Sequence, residues 1–402
     1  MTESLRVALL THSVLPRGGV VHTLELGEAL MERGHAVTVV APAEPGQRLF
    51  RQTACTVSLL PLPDVAGDLV DQVEQRIAGL ERGLPAVLQA GRFDLLHAQD
   101  SLSGNALARL QRGDGSLPPW VRTVHHLDDF SEPQLAAWQA TAWQAATAVA
   151  CVSDGWCQRL RNDHGVAARR VFNGVNLARF QSTPQAGDAA VLQALGLRDA
   201  AAPLCLAVGG VEHRKNSVRL LQAFAAVRAT DPDWSQARLV VAGGASLLDH
   251  GTAVRHWREA LHALGLGEGP DQPVWRTGPL ADAALAPLMR RARVLAMPSL
   301  MEGFGLVALE ALACGTPVLV SARPPFTEHL ADCPEVAWCD PEQVLSIARG
   351  LQQAARLPRP AALPSVCLAH SWSRSAAEHE NWYRQVLARQ ACPPRAHESL
   401  LP

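Results

Sequence analysis

From Val7 onward, apolar runs of four to six residues alternate with longer stretches of helical period along most of a 402-residue chain. Parallel strands need crossover helices and are covered on both faces, so short apolar runs spaced by helices predict β-α-β units. Val7–Leu10, Ala36–Val40, Thr56–Leu60, Asp94–His97, Val121–Val124 and Thr147–Val152 read as strands of a first unit. Helices such as Val20–Arg33 and Pro133–Ala146 lie between them. After about residue 200 the pattern restarts with Leu204–Val208, Arg238–Ala242, Val274–Trp275, Arg293–Met297 and Pro317–Val320. The expected fold class is α/β, with two doubly wound Rossmann-like sheets joined in the polar Ala178–Asp188 stretch.

Composition narrows the function. Hydrophobic residues make up 48% and charged residues 18%, enough apolar content for packed cores and against disorder. A net charge of −2 argues against broad nucleic-acid or anionic-membrane binding. The 36 basic residues are 35 Arg and a single Lys, Lys215. Nine Cys include no C-x-x-C pair and no zinc-site spacing, so buried reduced thiols are expected. Met1–Arg6 runs straight into the first strand without an apolar signal core, and no run approaches the ~18 apolar residues of a membrane helix. The expectation is a cytoplasmic protein whose tail after Cys392 is frayed.

In open parallel sheets, ligands bind at the carboxyl ends of the strands. Glycines and polar residues collect there in both halves. Gly18-Gly19 follow the first strand, His97 and Asp100 end the fourth, and His125-His126 end the fifth. In the second half Gly209-Gly210 lead to Arg214-Lys215-Asn216, Gly278 ends a later strand, and Ser299–Gly305 follow another. This predicts a site in a cleft between two facing domains. Glycines beside a helix start let backbone N–H groups meet an anion, although a plain tight turn accounts for Gly18-Gly19 equally well. No G-x-G-x-x-G is present, which lowers the case for a nicotinamide or flavin dehydrogenase.

The strongest signal runs from Glu302 to Pro317. Leu306–Cys314 reads as a helix apolar all round except for Glu310. An ionised Glu is costly to bury without partners, and hydroxyl donors such as a ribose diol would satisfy it. Glu302 precedes the helix beside glycines. Were both helical, they would stand about 12 Å apart along the axis. That spacing fits two contacts on one long ligand better than the paired carboxylates of a retaining hydrolase.

At these residues the sequence resembles the retaining GT-B glycosyltransferases of family 4. Pro298–Pro317 matches the pattern P-S-x-x-E-G-F-G-L-x-x-x-E-A-x-A-x-G-x-P, in which Glu302 and Glu310 form the E-x7-E motif. Phe172–Phe180 is similar to the family's interdomain P-N-G-V-D-x-x-R-F segment, Thr123-Val124-His125 to T-V-H-D, and Gly18-Gly19 with Gly34–Val37 to G-G…G-H-x-V. Ser371-Trp372-Ser373 resembles the start of the last helix, which in this fold crosses back to the N-domain. The resemblance implies an acceptor-binding domain over residues 1–178, a nucleotide-sugar-binding domain over 179–370, and a returning helix over 371–390.

The same resemblance implies roles. Glu310 would take the ribose hydroxyls and Glu302 those of the transferred sugar. Backbone N–H groups of Gly303, Phe304 and Gly305, at the helix start before Leu306, would face the sugar and diphosphate. Arg214 and Lys215 would neutralise the leaving group, and His125 would sit near the sugar's C6 hydroxyl. Gly18, Gly19, Gly210 and Gly278 complete the donor-binding set. No metal and no cofactor are implied, because cations and helix N-termini do that work. Where the family places an Arg after the first strand of the second domain, this chain has Gly210, which leaves Arg214 as the candidate replacement.

The expected activity is retaining transfer of a sugar from a UDP-, GDP- or ADP-linked donor to a small-molecule or lipid-linked acceptor. Front-face departure of the diphosphate through an oxocarbenium-like transition state would be coupled to closure about Asn173–Phe180. The rivals are a GT-B sugar-nucleotide epimerase, a phosphorylase and a non-catalytic sugar-nucleotide-binding protein. A phosphorylase would need a pyridoxal-phosphate lysine, and Lys215 lies in the phosphate loop. Arg159, Arg161, Arg169 and Arg170 make a modest basic cluster, so membrane contact would be peripheral at most. No nucleic-acid partner is expected.

Overall fold

A computed structural model describes residues 3–62, 65–114, 117–197, 202–244, 251–360 and 362–391. Cys392 and the tail beyond it lie outside the described residues. The strands are β1 (Arg6–Leu10), β2 (Ala36–Ala43), β3 (Thr56–Pro61), β4 (Leu95–Ala98), β5 (Trp120–Val124), β6 (Ala148–Cys151) and β7 (Ala168–Arg170). They form one sheet in the order β3-β2-β1-β4-β5-β6-β7, and every pairing is parallel. A second sheet contains β8 (Leu204–Val208), β9 (Arg238–Ala242), β10 (Val274–Gly278), β11 (Val294–Met297), β12 (Val318–Ser321) and β13 (Val336–Cys339). Its order is β10-β9-β8-β11-β12-β13, again all parallel.

Both sheets reverse direction of winding once, between β1 and β4 and between β8 and β11. At such a switch point the helices that follow the two strands cover opposite faces of the sheet, which leaves room for a ligand at the carboxyl edge. The central strands β1, β4, β5, β11 and β12 are buried almost throughout, as the continuous apolar runs require.

By its internal contacts the described chain forms two compact units. One comprises the residues up to Val152, Trp156–Val171 and the residues from Ser373 onward; the other comprises Ser153–Gly155 and Phe172–Trp372. In the first, a core that includes Leu10, Leu80, Leu84, Leu96 and Trp120 lies on one face of the sheet. Its final segment is most of the helix Trp372–Ala391. Glu380 of that helix is clamped by Arg33, at 2.7 Å, and by Arg384 one turn on. Burial alone would raise the Glu380 carboxyl, but hydrogen bonds from Arg33 and Arg384 outweigh it and bring it to about 2. In the second unit, Phe224, Trp234, Trp257, Leu261 and Leu351 belong to one core under β8, β9 and β11.

Several expected bounds move. The fourth strand is Leu95–Ala98, not Asp94–His97, and the first helix starts at Gly18, two residues before Val20. The Glu310 helix ends at Ala313, with Cys314 as its cap. Two strands had no reading in the sequence, β7 and β13. The eight described cysteines are free, and all but Cys333 are buried. Among the described residues no helix is long and apolar enough to cross a membrane.

Candidate active site

In the second unit, β8 and β11 are neighbours, so the loops leaving them meet. The loop after β8 is tied to the loop after β11 by its backbone: the Arg214 carbonyl accepts from Leu300 N–H at 2.8 Å. Asn216 fixes the other end. It sits in the left-handed region (φ 59°), begins the helix Ser217–Thr230, and donates its side-chain amide to the carbonyls of Pro298 at 2.9 Å and Pro341 at 2.7 Å. Asn tolerates that backbone better than most residues because its short amide bonds locally.

Lys215 and Glu302 are thereby brought together. Lys215 Nζ donates to Glu302 Oε2 at 2.5 Å, and Arg214 Nη1 stands 3.7 Å from Oε1. Ser299 Oγ donates to Glu302 Oε2, and Gly303 N–H to Oε1, both at 3.3 Å. Burial pushes the Glu302 carboxyl up, but the charges of Lys215 and Arg214 and the hydrogen bonds prevail, holding it at about 2. The site therefore carries a fixed anion beside two cations. Arg214 is further engaged by Glu212, whose Oε2 lies 2.9 Å from Nε.

Beyond Glu302 the chain turns into the helix Leu306–Ala313 through Gly305 (φ 86°). A side chain there would both strain the backbone and run into the Phe326 ring, so only glycine fits. Phe304 turns inward, 4% exposed, and stacks on His329 at 4.6 Å with ring planes 6° apart. What the Gly303–Gly305 segment offers outward is thus backbone. Leu306 opens the helix, and Glu310 lies one turn further along it, 7% exposed among Leu309, Ala311 and Leu312. Gly278 ends β10, the outer strand beside β9, while Gly210 follows β8 directly.

The remaining candidates belong to the first unit. The helix Gly18–Glu32 begins at Gly18-Gly19, and the Gly19 backbone lies against the ring of His125, just past the end of β5. His125 Nε2 is 3.0 Å from Gln99 Oε1, and its ring meets His22 edge-on at 4.7 Å. Burial, then the nearness of His22, Arg122 and His126, holds His125 well below the ordinary histidine range. His97 bonds to the Tyr383 hydroxyl at 2.7 Å and to Thr123 Oγ1 at 2.8 Å. His126 is more open and lies 3.4 Å from Asp128.

Sequence reading missed Glu212, Ser299, Gln99, Thr123 and Tyr383 as supports of these groups. The partners of Gln99, Thr123 and Tyr383 lie on other segments, so spacing carries no trace of them. Glu212 and Ser299 stand two and three residues from Arg214 and Glu302, with no local pattern to mark the pairing. Asn216 stands beside Lys215 in the sequence, and nothing local shows which carbonyls it bonds.

Residues 16–179 match the family model Glycosyltransferase Family 4, and residues 196–367 match Glycosyl transferases group 1. The chain belongs to this glycosyltransferase family. It is 33% identical to the D-inositol 3-phosphate glycosyltransferase of Kribbella flavida, over 78% of this chain and 77% of that protein. With the enzyme of the same description from Salinispora arenicola it is 35% identical over 58% of this chain, a stretch spanning 54% of that relative. Among solved structures it is similar to sucrose-phosphate synthase from Thermosynechococcus elongatus, with a TM-score of 0.76, 22% identity, and 95% and 99% of the two chains covered. It is also similar to Anabaena Alr3699/HepE in complex with UDP-glucose, with a TM-score of 0.66, 18% identity, and 96% and 99% covered. The likeness shows the GT-B fold, and the protein is a glycosyltransferase.

Proposed function

We propose that this glycosyltransferase acts with retention, moving a sugar from a UDP-linked donor held by the second unit to a hydroxyl of a small acceptor. The observation that carries the reading is the Lys215–Glu302 pair at 2.5 Å, set at the switch point of the second sheet with Arg214 alongside. A departing diphosphate needs preorganised positive charge, and Lys215, Arg214 and the backbone N–H groups around Gly305 supply it without a metal or cofactor. Glu302, ionised across the physiological range, is the acceptor for the hydroxyls of the transferred sugar. Glu310 is the acceptor for the ribose diol.

The first unit's candidate groups, His125 with Gly18 and Gly19, stand at the carboxyl end of their own sheet and are assigned to the sugar and the acceptor. His125 is neutral at pH 7, so it offers a directed hydrogen bond and not a charge. The transition state is oxocarbenium-like, and the chain's contribution is leaving-group stabilisation and alignment of the attacking hydroxyl. UDP is favoured over GDP and ADP because the structurally similar HepE has been solved with UDP-glucose. D-inositol 3-phosphate, in the name of the relatives, is the first acceptor to offer.

A thermal-shift series with UDP-, GDP- and ADP-sugars tests the donor. A ligand at a hundred times its Kd adds about 2.7 kcal/mol, a rise of several degrees. UDP-glucose is expected to raise the melting temperature, and Glu310→Gln to reduce the rise. If no nucleotide sugar shifts the protein, or Glu310→Gln changes nothing, the reading fails.

A further inference from the structure

We infer that Glu212 is a positioning residue that folds Arg214 back over Gly210, making Arg214 the second cation for the diphosphate leaving group in a loop where position 210 cannot carry one. The inference deepens the donor reading above and rests on it.

Three observations converge. A Cβ built on Gly210 would lie 2.8 Å from the Gly244 carbonyl oxygen, and that obstacle is backbone, not a flexible side chain. No arginine enters at 210 unless the loop ends of β8 and β9 move apart. The same Cβ would stand 3.5 Å from Glu212 Oε1, so the Glu212 carboxylate occupies the space beside position 210. Its other oxygen, Oε2, lies 2.9 Å from Arg214 Nε, an ion-pair contact. The glutamate therefore bridges the place where a cation is lacking and the cation one residue before Lys215.

Charge and exposure fit the same division of labour. Glu212 is buried, with 6% of its side chain exposed, while Arg214 keeps 29% exposed. The Nε edge of the guanidinium faces Glu212 as an ion pair, and Glu302 lies 3.7 Å from Nη1, outside hydrogen-bond range. The planar fork is thus oriented from one edge and able to present its remaining N–H groups to a phosphate oxygen. Lys215 supplies the first cation, with one of its three N–H groups held by Glu302. The Arg214 main chain is fixed independently through the Leu300 N–H, so Glu212 governs the side chain alone.

The test measures UDP and uridine affinity by calorimetry, with steady-state kinetics on UDP-glucose, for the unaltered chain and five variants: Glu212→Ala, Glu212→Gln, Arg214→Ala, Lys215→Ala and the double variant Glu212→Ala/Arg214→Ala. Glu212→Ala and Arg214→Ala are each expected to weaken UDP binding about tenfold and leave uridine binding unchanged, because only the diphosphate meets the guanidinium. The double variant is expected to be no weaker than either single one, the mark of two residues acting as a unit. Glu212→Gln, which keeps an oxygen acceptor, is expected to recover part of the loss. Equal losses for uridine and UDP would mean a collapsed loop and would overturn the inference, as would losses that multiply in the double variant. If Lys215→Ala weakens UDP while Glu212→Ala does not, the role of Glu212 falls and the donor reading stands. If the unaltered chain binds no UDP, both fall.

Discussion

The carboxyl edges of the two sheets solve the same problem with opposite electrostatics. In the first unit four histidines, His22, His97, His125 and His379, gather with ring centroids 4.7 to 5.8 Å apart between neighbours. Burial drives His97 and His125 well below their ordinary value, and His379 down to about 4. In the second unit Lys215 and Arg214 keep Glu302 ionised, and Glu212 forms an ion pair with Arg214. One edge is neutral and directional, the other ionic and strong. Clustered histidines oppose each other's protonation, whereas a carboxylate beside two cations stays ionised even when covered. The scaffold is shared, and the chemistry at each edge follows from the side chains placed there.

The ionic edge has the most to lose. Lys215→Ala is expected to lower transfer from UDP-glucose about a thousandfold, roughly 4 kcal/mol of transition-state stabilisation, with the fold intact. Release of UDP with donor and acceptor present is the measurement. A loss below tenfold would show that the second edge does not depend on its lysine.

Acid separates the edges next. His97, His125 and His379 each take a proton more readily in the unfolded chain than in the folded one. The stability this allows is complete above the ordinary value of 6.5 and is lost as pH falls through it, toward about 4 for His379. Glu302 works in the opposite sense: its stabilisation is present above 4.5 and disappears only as pH falls toward 2. Glu380, held at about 2, keeps its pairing with Arg33 over the same interval, and Arg122 near the histidines, lowered by burial to about 10, stays charged. Between pH 7 and 5, amide exchange corrected for its intrinsic pH dependence should therefore rise several-fold in Trp372–Ala391. It should stay level in Leu306–Ala313. Equal loosening of both helices would break the distinction.

The smallest effect concerns one hydroxyl. Tyr383→Phe removes the 2.7 Å partner of His97 at a fully buried site, and is expected to cost about 1 to 2 kcal/mol in denaturant unfolding. A neutral outcome would mean that packing alone holds the helix to the histidine edge.

How much of this could be read beforehand follows from where each signal resides. Buried parallel strands such as Leu204–Val208 announce themselves because both faces are covered, and the run is apolar without alternation. The edge strand Ala168–Arg170 is one-third alanine and two-thirds arginine, and only its pairing with Cys151 and its neighbours makes it a strand. The helix Leu69–Gly91 carries Pro85 in its interior, a residue that argues for a break when only local sequence is weighed. Lys215 and Glu302 were legible from rarity and motif. The supports were not: Asn216 bonds to carbonyls 82 and 125 residues away, and no periodicity encodes such a contact.

The returning helix also imposes an order on biosynthesis. His97 is covered by Tyr383, which leaves the ribosome 286 residues later. At about 5–20 residues per second the wait is roughly 15–60 s. Once Arg170 has emerged the first sheet has its strands but lacks the helix that seals one end, so its histidine edge is an exposed, half-finished surface. The unit that starts the chain is therefore the last to be completed, and a nascent chain stalled before Tyr383 would present to chaperones a face that the finished protein never shows.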